Sequence, residues 1–370
     1  MEVIVTGTDK IKDAAPPKPT LGLMDWFKTG NIAAWFIMKA LEPSILFRVG
    51  DRNKTLEAPE KFGLKGYRAE NLHLDTGETV TSWYKPAKNG NPTIVYCHGH
   101  DKYLSLRAEI LKEFSNRDFG VMIAAYPGFI GHEKRPGVAP SEEGCYATGH
   151  AMVRDLIFNK RIGMNKIVLY GESLGAAVAL KTAHLIEQGA ESSGYRLAEH
   201  KEKAPPVICF GAFRSLPAIA QEKVPLLPAD ALIQNRFPSD EIIGDIKSPI
   251  LLIHGKEDAY TPPKHSQDLE KLSKDGSGSA KVALLDGVNH FLTRPSTKPG
   301  KKWEKDPNQI REVVNCAQQF MSDLGLCKPP SKLGKHTGGG ESFHERLTDH
   351  REFDRLERIK ESRKSDRITR

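Results

Sequence analysis

Lys166-Ile167-Val168-Leu169-Tyr170 runs into Gly171-Glu172-Ser173-Leu174-Gly175 and then into Ala176-Ala177-Val178-Ala179-Leu180-Lys181-Thr182-Ala183. The first five residues are largely apolar and β-branched, which suits a buried parallel strand. The last eight are rich in strong helix formers. Between them stands a G-x-S-x-G pattern, whose glycines allow a tight turn without a Cβ clash. Strand, turn and helix in that order lift a serine hydroxyl clear of a sheet edge. Ser173 is therefore the candidate nucleophile, against the plainer reading of a glycine-bounded structural turn.

Apolar runs alternate with helix-forming runs on both sides of this stretch. Leu72-His73-Leu74 and Val80-Thr81-Ser82-Trp83-Tyr84 flank Asp75-Thr76-Gly77-Glu78, which predicts an antiparallel hairpin. Strands are then expected at 93–97, 120–125, 166–170, 206–210, 249–253 and 282–285. Helices are expected at about 104–117, 141–160, 174–188, 215–222, 263–273 and 307–323. The alternation predicts an α/β fold built on a mostly parallel, doubly wound sheet with helices on both faces. Fewer than 40 residues separate the strands at 206–210 and 249–253, so the expected cap is minimal.

A neutral serine is a poor nucleophile and needs a base, and the base needs an acid to orient it. With such a turn, those partners follow on loops after later strands, in the order Ser, then Asp or Glu, then His. Pro249-Ile250-Leu251-Leu252-Ile253-His254-Gly255-Lys256-Glu257-Asp258 ends by presenting Asp258, and Lys281–Leu285 leads through Asp286-Gly287-Val288-Asn289 to His290. Ser173, Asp258 and His290 are the expected catalytic group. Asp286 is the weaker alternative acid, and Glu257 should point away from its neighbour. His254 reads as structural, and His265, at a helix start, reads as exposed. A developing oxyanion needs donors as well. The expected pair is the backbone N–H of Leu174, at the start of a helix, and that of His100, in Cys97-His98-Gly99-His100-Asp101. His98 reads as an anchor for that loop. Phe213 and Leu216, with Val224, Leu226 and Leu227, are candidates to line a substrate groove, with core packing as the competing reading.

The 370 residues are 39% hydrophobic and 27% charged, a globular balance, and the net charge is +7. No zinc spacing or aromatic-interleaved basic stripe accompanies that charge, so neither a metal site nor nucleic-acid binding is expected. Cys97, Cys145, Cys209, Cys316 and Cys327 show no C-x-x-C spacing, which favours a reducing, cytoplasmic compartment. The expected organisation is a leader over 1–54, a catalytic domain over 55–328 and a charged tail over 329–370. The leader carries an interrupted apolar stretch at 26–47, a candidate for peripheral membrane contact. The tail carries a charged helical pattern at 341–364, a candidate for docking a protein partner.

With these residues in hand, the chain resembles the α/β-hydrolase superfamily. Within it, the chain is similar to the small-capped serine hydrolases that include abhydrolase-type depalmitoylases and bud-emergence hydrolases. The resemblance spans roughly residues 55–325, through His98-Gly99, Tyr126-Pro127-Gly128-Phe129, Gly171–Gly175, Ala212-Phe213-Arg214-Ser215-Leu216, His254–Asp258 and Asn289-His290. It departs at His98-Gly99-His100-Asp101, where relatives carry a small or amide residue and then glycine or alanine. The leader is also more interrupted than the family's anchor. The resemblance implies a cofactor-free serine hydrolase that cleaves a carboxylic ester or acyl thioester of a small molecule or an acylated protein. A serine peptidase of the same fold is the alternative, and so is an interaction or effector protein acting through its tail.

Overall fold

The computed structural model describes residues 56–330, apart from 102, 130–137, 190, 193–194, 197–203, 226–227, 277 and 298–301. The leader with its 26–47 stretch, and the tail from 331 onward with its 341–364 pattern, lie outside the described residues.

Eight strands form one sheet. They are β1 (Arg68–His73), β2 (Thr79–Lys85), β3 (Thr93–Cys97), β4 (Gly120–Ala124), β5 (Ile167–Glu172), β6 (Val207–Phe210), β7 (Pro249–Gly255) and β8 (Ser279–Leu285). Their order across the sheet is β1-β2-β4-β3-β5-β6-β7-β8. β1 pairs antiparallel with β2, and β2 with β4, while every later pairing is parallel. From β3 the chain winds first toward β4 and then back toward β5. That reversal opens a crevice beyond the carboxyl ends of β3 and β5, where a doubly wound sheet places its ligand.

The helices of eight or more residues are α1 (Ala108–Ser115), α2 (Glu142–Phe158), α3 (Leu174–Glu187), α4 (Leu216–Lys223), α5 (Lys264–Asp275) and α6 (Pro307–Asp323). Successive strand residues point to opposite faces, so the core divides in two. On one face Ile94, Tyr96, Val168 and Tyr170 pack with Leu111 and Phe114 of α1 and Val313 and Phe320 of α6. On the other, Val95, Cys97, Ile167 and Leu169 pack with Met152 of α2, Val178 of α3 and Leu269 of α5. β3, β4 and β5 are buried on both faces, which is why they read as apolar runs rather than as alternating patterns. Each large side chain buried this way contributes about 1.5–3 kcal/mol.

The expected helix at 104–117 is a 3-10 turn, Leu104–Arg107, followed by the shorter α1. Ser141 caps α2 by accepting the Gly144 N–H at 3.1 Å. An antiparallel ribbon of Thr293–Pro295 with Trp303–Lys305 gave no signal in the sequence, because three residues a side are too short a run to show an alternation.

Candidate active site

Ser173 sits between the end of β5 and the start of α3 with φ 55° and ψ −120°, a conformation that costs an L residue energy. Neighbouring structure holds it there. Its N–H donates to the Phe210 carbonyl at 2.8 Å, and its own carbonyl accepts the Ala176 N–H at 2.8 Å. α3 must also start hard against β3: a Cβ on Gly175 would lie 2.0 Å from the Cys97 carbonyl oxygen.

The turn after β7 carries Asp258 and the loop after β8 carries His290. The structure brings both to Ser173. His290 Nε2 is 3.0 Å from Ser173 Oγ, and His290 Nδ1 is 2.6 Å from Asp258 Oδ2. All three side chains are buried. Burial alone would raise the Asp258 carboxyl, but hydrogen bonds from His254 and His290, the charge of His290 and the Thr261 N–H together hold it well below the usual range. An ionised carboxylate only accepts, so Nδ1 of His290 carries the proton and Nε2 is free to accept from the Ser173 hydroxyl. This arrangement can raise the nucleophilicity of a serine and hold an imidazolium once it forms.

Leu174 is the first residue of α3, and His100 follows Gly99 in the loop after β3. The position a Cβ would take on Gly99 is 3.4 Å from the Cβ of Ser173, so this loop stands beside the nucleophile. The His100 ring is partly exposed and stacks on Tyr260 with centroids 6.1 Å apart and planes 5° apart. Tyr260 lies 5.0 Å from the His290 ring and 5.5 Å from Phe291. His100, Tyr260 and Phe291 thus form an aromatic rim around His290. The sequence reading passed over Tyr260 and Phe291, although each lies within two residues of an expected site residue.

Beneath the elbow lies an ion pair that the sequence did not announce. Arg107 Nη2 is 2.8 Å from Glu172 Oε1, its Nε is 3.2 Å from Oε2, and Tyr96 donates its hydroxyl to Oε2 at 2.5 Å. Burial opposes ionisation of Glu172, yet the charges of Arg107 and then Lys305, with the hydrogen bonds from Tyr96 and Arg107, bring its carboxyl down to about 2. The guanidinium is itself buried, and a Cβ on Gly99 would meet Nη2 at 3.0 Å. Arg107 therefore props the loop beside Ser173 from below.

His265 corrects an expectation of exposure: it is 1% exposed. Being one turn before the buried Leu269, it lies on the inward face of α5, with Nε2 3.2 Å from Glu222 and Nδ1 accepting the Arg214 N–H at 3.4 Å. Glu257 is exposed where Asp258 is buried, and Asp286 is exposed and paired with Lys256 at 2.7 Å. His98 is buried, donates Nδ1–H to the Gly99 carbonyl at 2.7 Å and stacks on Tyr126 at 4.1 Å. Burial first, then the charge of Arg107, push its imidazole down to about 3. Phe213 belongs to the core cluster, with Leu216 partly buried against it, while Val224 is exposed. Leu226 and Leu227 lie outside the described residues.

All five cysteines are free thiols. Among the described residues no helix is long and apolar enough to cross a membrane, and no group of three or more His, Cys, Asp or Glu is placed to hold a metal ion.

Residues 140–297, which include Ser173, Asp258 and His290, match the family model described as "Serine hydrolase (FSH1)". The chain is 28% identical over 223 residues to the Mycobacterium tuberculosis protein Rv2307c, covering 59% of this chain and 70% of that one. It is 27% identical over 210 residues to the lysophosphatidylserine lipase ABHD12 of Danio rerio, covering 53% of this chain and 52% of that one. A solved α/β hydrolase from Vibrio vulnificus has a similar fold, with a TM-score of 0.56 at 17% identity over 84% of this chain and 98% of that one.

Proposed function

The chain is a serine hydrolase of the α/β-hydrolase superfamily, and on that premise we propose that it cleaves a carboxylic ester or acyl thioester through an acyl-enzyme on Ser173. The observation that carries this reading is the unbroken chain of contacts from Ser173 Oγ through the His290 ring to Asp258. Ser173 attacks the carbonyl as its proton passes to His290 Nε2, and Asp258 stabilises the imidazolium. The tetrahedral oxyanion is received by the backbone N–H groups of Leu174, at the positive end of α3, and of His100. His290 then protonates the departing alcohol or thiol. A water that gives its proton to the same Nε2 attacks the acyl-enzyme, and as the bond from the acyl carbon to Ser173 Oγ breaks, His290 returns the proton to Oγ and the acid leaves.

Gly211 abuts the His290 ring, so the chain that follows it leads away from the reacting centre. Fewer than 40 residues separate β6 from β7, which favours substrates whose acyl chain or leaving group extends beyond the crevice.

A fluorophosphonate probe tests the assignment, with labelling expected for the native chain and absent from Ser173→Ala. Labelling that survives the substitution would remove Ser173 from the reaction. A chain-length series of p-nitrophenyl esters run beside a palmitoyl thioester then selects between the two leaving groups.

A further inference from the structure

Asp258 accepts more hydrogen bonds than orienting one imidazole requires. Its Oδ1 takes the backbone N–H groups of Tyr260 and Thr261 at 2.9 and 2.7 Å, and its Oδ2 takes His290 Nδ1 at 2.6 Å. A second imidazole reaches the same oxygen. His254, the penultimate residue of β7 and wholly buried, places Nε2 3.2 Å from Oδ2.

The protonation of that nitrogen follows from its surroundings. Nε2 also lies 2.8 Å from the Thr261 carbonyl oxygen, which can only accept. Both neighbours of Nε2 are acceptors, so Nε2 carries a hydrogen and shares it between them. Nδ1 faces the hydroxyl of the buried Ser266 at 2.7 Å, and that hydroxyl can donate to it. Ser266 therefore fixes the ring's rotation while Nε2 stays directed at the acid.

We propose that His254 is a positioning residue that shares Asp258 Oδ2 with His290 and so sets how strongly Asp258 holds the proton of the base. The proposal rests on the Ser173, His290 and Asp258 reading above. A carboxylate whose charge is already drawn by a second donor attracts an adjacent imidazolium less. Without the His254 donor, Asp258 would attract that imidazolium more strongly.

Other groups facing these rings stay in place when His254 is changed. Toward His290 they are Tyr260, Lys305 (whose Nζ donates to the Phe291 carbonyl at 2.7 Å), and the Arg107, Glu172, Asp101 and His100 group beside Ser173. Toward His254 they are Asp258 and, from α5, His265 with its partners Glu222 and Arg214. A change in the pH profile on substituting His254 therefore reports the lost donor.

The test is kcat/KM against pH for a p-nitrophenyl ester, using the full chain and two variants. His254→Phe removes the donor and keeps a flat ring. His254→Gln keeps an N–H near the position of Nε2. The acid limb of His254→Phe is expected to move up by about 0.5 pH unit or more. His254→Gln should return it to the native position, with fluorophosphonate labelling kept by both. A limb that does not move in His254→Phe overturns the proposal, as does one that moves equally in both variants. If His254→Phe does not fold, His254→Asn, too short to reach Oδ2, replaces it under the same criteria. Labelling of Ser173→Ala would instead overturn the underlying assignment, so the two failures are distinguishable.

Discussion

Gly211 lies against the ring of His290: a Cβ built on it would stand 3.2 Å from both Cε1 and Nδ1, and 3.6 Å from Asp258 Oδ2. The residue has φ 63° and donates its N–H to the Ile253 carbonyl at 3.0 Å. The end of β6 thus forms the floor on which the imidazole rests, and glycine is required there both for its backbone angle and for its missing side chain.

Gly211→Ala should consequently displace the His290 ring while leaving the sheet intact. A lateral shift of the base weakens its contact with Ser173, and each 1.36 kcal/mol lost in the transition state is about tenfold in rate. The expected fall in kcat/KM is about tenfold to a hundredfold, with native far-ultraviolet circular dichroism, as read by steady-state ester hydrolysis.

Asp258→Asn replaces an acceptor with an amide that can present N–H to His290. The imidazole then favours the tautomer with hydrogen on Nε2, which cannot take the Ser173 proton. A loss in kcat of about 10³–10⁴ is expected, with the fold retained. A loss under tenfold would show that another group orients the base.

Arg107→Met leaves Glu172 buried beside Tyr96 without its strongest partner, a change that typically costs about 3–5 kcal/mol. The loop at Gly99 should loosen as well, so kcat should drop along with the denaturation midpoint. Glu172→Gln should be milder, because Asp101 still faces Arg107 at 3.3 Å. Urea unfolding of the two variants measures the difference.

Acid should erode the stability of the protein through two overlapping pH windows. His98 stays neutral in the folded chain down to about 3, whereas its ordinary value is 6.5. Below pH 6.5 the unfolded chain takes up a proton that the folded one refuses, so stability erodes as pH falls from 6.5 toward 3. Glu172 is depressed from 4.5 to about 2, so its contribution is complete above 4.5 and is lost as pH falls toward 2. Unfolding free energy measured across pH 2–7 should lose part of its slope above pH 4.5 in His98→Phe and part of its slope below it in Glu172→Gln.

Strands β3 to β7 could be read from the chain because burial on both faces writes a nearly uninterrupted apolar run, a local property of sequence. Ser173, Asp258 and His290 were nominated from strand ends too: each follows a strand run within five residues, and chain order along a doubly wound sheet limits which loops can meet. The ribbon of 293–295 with 303–305 was silent because its strands are only three residues long. The approach of Arg107 to Glu172, the stacking of His100 on Tyr260 and the fit of Gly211 under His290 have no local signature. They join residues far apart in the chain, and nothing in the periodicity of either partner encodes the other. Helix and strand patterns depend on side-chain periods of a few residues, so they survive in the sequence. Contacts among loops at the sheet's carboxyl edge depend on twist, helix packing and loop path summed over the whole chain, so they exist only once it is folded.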